Sequence, residues 1–347
     1  MRLIVYSLMF ISLSIINVRC VRNTDSSIKK HKHYDNIVDV NLKLVDIKTE
    51  KFFGHSFLYI MNDFLIVVDV RASMDKGIHF YDKHSFKYIA STGIIGNGPG
   101  ELTRTGAIGI DKNNNFLWVP DHEKMVIWRY SIDSLMIDEF YKPSYKKEMK
   151  SASFIITLSL LNDSIALGKG VFPISTSNFE MKTVVYDLFR NDISEFGYEH
   201  PETLGMKMSN SYFNLSIENN LYVNSFNKMD LVTICHLNGS LKCNVFGPGW
   251  NNKNKKNQAY FCGVDFIDDK IIASYLGGDE FYFKEQGRPW SNNPSKFIIF
   301  DLSGNYIKTI DTGSQFSTFC VDNDSKRVIV FFDDRDNPLA YFNYNEL

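Results

Sequence analysis

Residues that could carry catalytic chemistry are present, but few of them stand at spacings that would let them act together. The 8 histidines are scattered, and His122-Glu123 lacks the second histidine of the zinc-binding motif HExxH. Residues 111–115 begin like a calcium-binding loop, but Phe116 stands where that loop needs glycine. The GxSxG motif of serine hydrolases does not occur in the sequence. These patterns favour a binding protein over an enzyme and indicate no resident metal or cofactor.

The composition restricts both the partners and the type of fold. The 347 residues contain 38 Lys and Arg against 40 Asp and Glu, so no strong field would attract nucleic acid. Hydrophobic residues make up 44% of the chain, a value typical of a folded protein with a sizeable core. The 28 Phe and 18 Tyr, with only 9 Pro, favour strands over helices. We therefore expect a strand-rich globular protein that does not bind nucleic acid.

The first 19 residues have the pattern of an export signal. Arg2 supplies the positive charge, and the apolar run over residues 3–16 has the length of a signal core and is short for a membrane span. We predict a signal peptide over residues 1–19 and a linker over 20–35. The mature protein is then expected in the bacterial cell envelope, either in the periplasm or associated with the outer membrane.

Cys20 follows the signal directly and is a candidate for lipidation. A lipidation signal has Leu near the third position before the cysteine and a small residue just before it, where this chain has Asn17 and Arg19. Cleavage after Cys20 is the alternative. A lipid at Cys20 would be the one membrane contact that the sequence predicts. The remaining cysteines are expected to be buried free thiols, although a hairpin disulfide between the first two is the alternative: Cys235, Cys243, Cys262 and Cys320.

Internal repeats predict the architecture. Short polar turns precede apolar, β-rich runs at intervals of about 49 to 57 residues, and the runs read FLIVVD, FLWVPD, SIALGKG, LYVNSF, KIIASY and KRVIVFF. A second series of hairpins alternates with these runs, so each unit contains four strands. Six such units predict an all-β protein, a six-bladed β-propeller of four-stranded antiparallel blades over residues 36–347. We expect residues 37–45 to form a strand that pairs with residues 339–344 and closes the ring.

One segment carries a family resemblance. The motif GNGPGEL at residues 96–102, followed by IGID, FLWVPD and VIWRY, looks like an NHL-type repeat. More closely, the chain resembles the six-bladed, TolB-like propeller proteins exported by Bacteroidetes, many of which are lipoproteins of unassigned function. The resemblance implies a propeller and an exported location, and it implies no particular activity.

Loop lengths distinguish the two faces of the predicted ring. The turns between the first and second and between the third and fourth strands of each blade are short, and we call their side the short-loop face. The opposite side, the long-loop face, is predicted to hold the long segments, namely residues 93–104, 141–151, 170–180, 198–209, 247–258 and 277–296. Binding sites are usually built from long loops on a rigid scaffold, so we expect the functional site there.

Five residues of the long-loop face are candidate ligand contacts. Arg288 and Trp290, in the longest insertion, and Trp250 could form an aromatic platform for a sugar or a peptide; the alternative is that these aromatic rings pack the loops onto the blades. Glu101 and Arg104 precede an innermost strand and could bind a polar ligand at the channel mouth, or they could pin the link between two blades.

These observations favour a monomeric binding module whose ligand is a glycan, a peptide or a protein. The alternative is a metal-assisted hydrolase or lyase, similar to the lactonases of this fold. Its calcium or zinc would be held by acids that converge at the channel mouth from separate blades.

Overall fold

The chain forms a closed ring of six β-sheets. This computed structural model describes residues 27–70, 75–149, 154–176, 178–204, 210–252, 257–283, 287 and 289–347. Within these residues each of six sheets contains four antiparallel strands, which confirms the predicted six-bladed β-propeller. The strands of each blade are numbered here from the central axis outwards.

The first three blades follow the chain without interruption. Blade 1 comprises Ser56–Met61, Phe64–Asp69, Lys76–Asp82 and Tyr88–Ile94. Blade 2 comprises Gly109–Asp111, Phe116–Asp121, Val126–Ser131 and Lys146–Glu148. Blade 3 comprises Phe154–Leu160, Ile165–Ser175, Asn178–Asp187 and Asp192–Glu195.

The last three blades also recruit the N-terminal part of the chain. Blade 4 comprises Ser211–Ser216, Leu221–Phe226, Leu231–His236 and Leu241–Phe246. Blade 5 comprises Gln258–Ile267, Lys270–Asp279, Lys296–Asp301 and Tyr306–Asp311. Blade 6 comprises Thr318–Asp322, Arg327–Phe331, Leu339–Asn343 and, from the N-terminal part, Val45–Ile47.

The polar turns that mark the repeats have a shared backbone geometry. Asn62, Asn115, Asn220 and Asp268 all have a positive φ near 50° in the turn between the first and second strands of their blades. Asn and Asp tolerate this left-handed conformation better than other side chains do. The strands that follow the turns at Asn62, Asn115 and Asn220 are almost fully buried, because they lie in the middle of the ring between neighbouring blades.

The N-terminal segment closes the ring, as predicted, but with a different strand. Val45–Ile47 pairs antiparallel with residues 339–341 and becomes the outermost strand of blade 6. The predicted strand over residues 37–45 overlaps the closing strand only at Val45, and its first part, Ile37–Asp39, runs parallel to the outermost strand of blade 5. Ile28–Lys30, within the predicted linker, runs parallel to the outermost strand of blade 4. The segment therefore crosses the outer edges of two blades before it reaches the third.

Buried charges reinforce the junction between blades 6 and 1. The Lys83 ammonium lies 2.6 Å from a carboxylate oxygen of Asp324 and 3.4 Å from one of Asp322. Arg327 pairs with Asp322 at 2.9 Å and donates a hydrogen bond to the Lys83 carbonyl oxygen. Lys83 and Asp322 are 2% and 0% exposed, so each buried charge has an opposite charge beside it.

Blade 2 departs from the predicted hairpin pattern. Residues 126–140 were expected to form two strands, but a short helix, Ile132–Ile137, follows the third strand. The Ser131 side chain accepts a hydrogen bond from the Ser134 N–H and caps this helix, while its apolar residues Ile132 and Leu135 are buried. The connection therefore leaves the blade at the short-loop end and returns towards the long-loop end, where Lys76 donates to the Glu139 carbonyl oxygen and Lys142 pairs with Glu101. Among the described residues, no helix is long and apolar enough to cross a membrane.

Candidate binding site in the central cavity

The first strands of the six blades surround a cavity of about 950 Å³. Ligand sites in proteins have volumes of roughly 300 to 1,000 Å³, so this cavity has room for a ligand. Its wall combines aromatic rings with polar side chains, among them Phe57, Tyr212, Phe319, Thr157, Asn214 and Asp265. Each first strand begins at the long-loop face and ends at the short-loop face. Tyr212 therefore lies near the long-loop mouth, and Asp265 lies deeper.

The longest insertion forms a hairpin beside the long-loop mouth. Phe281–Phe283 pairs antiparallel with Pro289–Ser291, with Tyr282 opposite Trp290 and Phe281 opposite Ser291. Directly opposed residues lie on the same face of a two-stranded sheet, and Phe281 and Ser291 both line the cavity. The other pair lies on the opposite face of the hairpin, where Trp290 is 51% exposed. The hairpin thus presents aromatic rings on both faces, one towards the mouth.

Asp265 is a carboxylate in the cavity wall between blades 4 and 5. Its Oδ1 accepts hydrogen bonds from the Asn214 side-chain N–H and the Phe266 backbone N–H, each at 2.8 Å. Burial raises the pKa of Asp265 to about 6, and the N–H groups of Phe266 and Val321 and the charge of Lys112 act in the opposite direction. Within the described part of the chain, Asp265 makes no ion pair.

Polar groups also surround the long-loop mouth. Glu280 lines the cavity near this mouth and forms an ion pair with Lys228. Burial, with the nearby Cys262 and Glu280, raises the pKa of the Tyr212 phenol above its ordinary value. Asn227 is 6% exposed; its amide N–H donates to the Phe261 carbonyl oxygen at 3.1 Å, while its Oδ1 has no hydrogen-bond partner among the described residues.

The predicted aromatic platform is divided between packing and exposure. Trp250 packs against Phe246 and His200, with ring centroids 4.5 and 5.6 Å away, and joins a small core cluster. Trp290 lies on the exposed hairpin instead. Trp250 therefore packs its loop onto a blade, as the alternative interpretation expected. Trp290 does not, because its side chain is half-exposed. Arg288 lies outside the described residues.

Glu101 and Arg104 do not form a pair with each other in the described structure. Glu101 pairs with Lys142 at 2.8 Å and accepts a hydrogen bond from the Gly98 N–H at 2.8 Å. Lys124 donates to the carbonyl oxygens of the same segment, including that of Glu101 at 2.8 Å. The Lys142 ammonium and the Gly98 N–H lower the pKa of the Glu101 carboxyl. Through these contacts Glu101 holds the link between blades 1 and 2 in place. Arg104 is exposed.

The four described cysteines are free thiols, as predicted. Ile234, rather than Cys235, stands opposite Cys243 in the hairpin of blade 4, because the register shifts beside the turn. Cys235, Cys243 and Cys320 are buried, whereas Cys262 is half-buried and lines the cavity. Cys20, the candidate for lipidation, lies outside the described residues. In the described part of the chain, no group of three or more His, Cys, Asp or Glu residues could hold a metal ion.

Sequence reasoning missed Asn214 and Asp265, although the repeats contain the signal that would have found them. Both residues stand two positions before the end of the first strand of their blade, as do Tyr59, Gly109, Leu158 and Cys320. This layer joins neighbouring blades, since Asn214 donates to Asp265 and the Ile108 N–H donates to the Tyr59 phenol oxygen at 3.1 Å. Alignment of the six repeats would have placed a carboxylate next to an amide in the channel.

Comparisons with known proteins show the fold. No protein-family model and no curated protein matches the chain. A member of the DUF4221 family from Bacteroides vulgatus is similar with a TM-score of 0.59 and 9% identity, over 86% of this chain and 94% of that one. A "putative exported protein" from Bacteroides fragilis is similar with a TM-score of 0.57 and 13% identity, over 91% and 98%. At such identities the likeness extends to the six-bladed propeller fold and no further.

Proposed function

We propose that this chain is an exported binding module whose ligand enters the central cavity from the long-loop face. The observation that carries the proposal is a cavity of about 950 Å³ with an aromatic hairpin beside its mouth. Phe281 supplies an apolar contact at the mouth, while Asn214 and Asp265 supply polar contacts deeper in the wall. Concave sites that combine apolar contacts with convergent polar groups are typical of ligand recognition.

Location in the cell envelope belongs to the same proposal. The export signal pattern of residues 1–19 supports it, and the name of the similar Bacteroides fragilis protein is consistent with it. Anchoring through a lipid at Cys20, membership of the TolB-like or NHL-like propellers and a monomeric state are further parts of the proposal. The metal-assisted hydrolase gains no support from the described residues, because no cluster of metal ligands occurs among them.

A thermal-shift panel on the chain from residue 21 tests the proposal. The panel contains neutral glycans, short peptides, amines and divalent cations with and without EDTA. A ligand at about 100 times its dissociation constant adds about 2.7 kcal/mol to the free energy of unfolding and raises the melting temperature visibly.

Two phenylalanine variants then locate the site. Phe281→Ala removes a ring at the cavity mouth, and Phe189→Ala removes a ring that is 86% exposed on the short-loop face. We expect Phe281→Ala to weaken binding of any stabilising compound by about tenfold and Phe189→Ala to leave it unchanged. Equal affinities for the two variants would contradict a site at the long-loop mouth. Stabilisation by calcium or zinc that EDTA reverses would favour the metal-dependent alternative instead.

A further inference from the structure

The residues that line the cavity are rich in acids and poor in cations. Among the described lining residues there are seven carboxylates and one lysine, Lys112, with no arginine; the carboxylates are Asp111, Asp163, Glu218, Asp265, Glu280, Asp322 and Asp324. Three of these carboxylates have cationic partners in the protein, because Asp322 and Asp324 contact Lys83 and Glu280 contacts Lys228. The electrostatic field inside the cavity therefore opposes an anionic ligand.

Asp265 is a half-buried carboxylate of the cavity wall that has no counter-ion among the described residues. Its hydrogen bonds come from an amide side chain and from backbone N–H groups, and no described Lys or Arg forms an ion pair with it. Buried charges in proteins are ordinarily paired, since an isolated charge away from bulk water is costly. A positive group inside the cavity would supply the missing partner.

A second polar group in the same wall has an acceptor atom without a described donor. Asn227 is 94% buried and lines the cavity, and its Oδ1 accepts no hydrogen bond from any described residue. Its amide N–H groups are already engaged with the Phe261 carbonyl and the Cys262 sulfur, so the oxygen is fixed as the acceptor. The wall therefore offers a carboxylate without a described counter-ion and an amide oxygen without a described donor.

The aromatic rings of the wall suit the remainder of such a ligand. Phe57, Tyr212 and Phe319 belong to first strands, and Phe281 lies at the mouth. Aromatic faces attract cationic groups and pack against the methylene chains that carry them. Ammonium and guanidinium groups carry positive charge and several N–H donors, which matches a wall with an uncompensated carboxylate and an unpaired amide oxygen.

We propose that the cavity binds an organic cation, with its ammonium or guanidinium group beside Asp265 and its aliphatic chain against the aromatic rings. This inference rests on the proposed binding function and specifies the ligand class. The same chemistry occurs in free polyamines and in the Lys or Arg side chains of an extended peptide. Spermidine and tetralysine serve as probes for the two sources.

Titration calorimetry on the chain from residue 21 tests the inference, with Asp265→Asn as the variant. Asp230→Asn is the control, because burial also raises the pKa of Asp230 to about 6, yet Asp230 does not line the cavity. We expect Asp265→Asn to weaken binding of spermidine or tetralysine by about 30-fold or more. Asp230→Asn should change the affinity by less than about threefold, since it touches no part of the cavity.

A neutral probe keeps the test decisive even where Asp265→Asn folds poorly. Fully acetylated spermidine and acetylated tetralysine have the same chain lengths without the charges, and the unaltered protein should bind them at least about 30-fold more weakly. Tighter binding of spermidine assigns the site to a free amine, and tighter binding of tetralysine assigns it to a peptide. Equal affinity for charged and acetylated probes, or equal losses in the two Asp variants, would overturn the inference.

The outcomes separate this inference from the function on which it depends. A neutral glycan or peptide that needs Phe281 but not Asp265 would refute the organic cation and keep the binding module. Binding of calcium through Asp265, without binding of spermidine or tetralysine, would also refute the organic cation. No binding of any panel compound in the cavity would refute both.

Discussion

Replacement of Asp230 by Asn should change how the stability of the protein depends on pH. Asp230 is 0% exposed; its Oδ2 accepts hydrogen bonds from the Gly249 N–H at 2.7 Å and the Tyr275 hydroxyl at 3.0 Å. Its Oδ1 has no partner among the described residues. Burial raises the pKa of Asp230 from 3.8 to about 6, and the hydrogen bonds from Gly249 and Tyr275 act in the opposite direction.

The sign and size of the effect follow from this shift. Between pH 3.8 and about 6 the folded protein holds the Asp230 proton more tightly than the unfolded chain, so Asp230 lowers stability progressively as pH rises through this window. A shift of roughly two pKa units corresponds to about 3 kcal/mol in total, of which about 2 kcal/mol falls between about pH 4.5 and about pH 7. Asn cannot titrate, so Asp230→Asn removes this loss.

Urea unfolding at about pH 4.5 and about pH 7 measures the effect. The free energy of unfolding of Asp230→Asn, relative to the unaltered protein, should rise by about 2 kcal/mol from the lower to the higher pH. Any change in stability that comes from altered hydrogen bonding is the same at both pH values and cancels in this comparison. The titration of Asp265 is common to both proteins and cancels as well. Asp63→Asn, at a side chain that is 80% exposed, controls for the loss of one negative charge. A difference that stays the same at both pH values would refute the reasoning.

Two further predictions concern closure of the ring. Lys83→Met should lower the free energy of unfolding by about 2 to 4 kcal/mol, because it leaves Asp322 and Asp324 with one cation fewer, whereas Lys326→Met, at an exposed pair with Asp268, should cost less than about 1 kcal/mol. Similar costs for the two variants in urea unfolding would contradict a buried closing pair. Removal of residues 1–48 deletes Val45–Ile47 and should give an aggregating chain without a cooperative melt, whereas removal of 1–26 should leave the melt intact. A cooperative melt of the shorter chain would show that the third strand of blade 6 needs no partner.

The fold could be predicted because residues typical of tight turns recur in the sequence at regular intervals. Asn62, Asn115 and Asn220 occupy equivalent turns with a positive φ, and residues that accept this conformation are few. The runs between the turns have the length and β-branched content of strands buried on both faces. Local chemistry and global architecture therefore agree along most of the chain.

The closing strand could not be placed from sequence, for a physical reason. Ile37–Asp39 and Val45–Ile47 are both short and carry apolar residues, and both pair with the outer edge of a blade. Which of the two strands pairs with blade 6 depends on the distance that the N-terminal segment spans along the outer edge of the ring. That distance is a property of the assembled propeller and leaves no local pattern.

Sequence reasoning proposed the long-loop face for a site but did not find the residues that line the cavity. Trp250 looked like a ligand contact because it lies in a long link, yet a core of Phe246 and Leu231 was available to cover it. Asp265 looked like an ordinary strand residue, because its partner Asn214 lies 51 positions earlier in the chain. Contacts across blades depend on the closed ring and cannot be read from the spacing within one repeat.

Protection of Cys262 tests most directly whether the cavity is the ligand site. Cys262 lines the cavity and is half-buried, whereas the other three described cysteines are buried, and burial raises the pKa of the Cys262 thiol to about 12. A thiol reagent should therefore label Cys262 slowly and ahead of the others in the chain from residue 21. The compound that raises the melting temperature most should slow this labelling by about tenfold at saturation, because occupancy excludes the reagent. An unchanged labelling rate with the compound bound would contradict a ligand site in the central cavity.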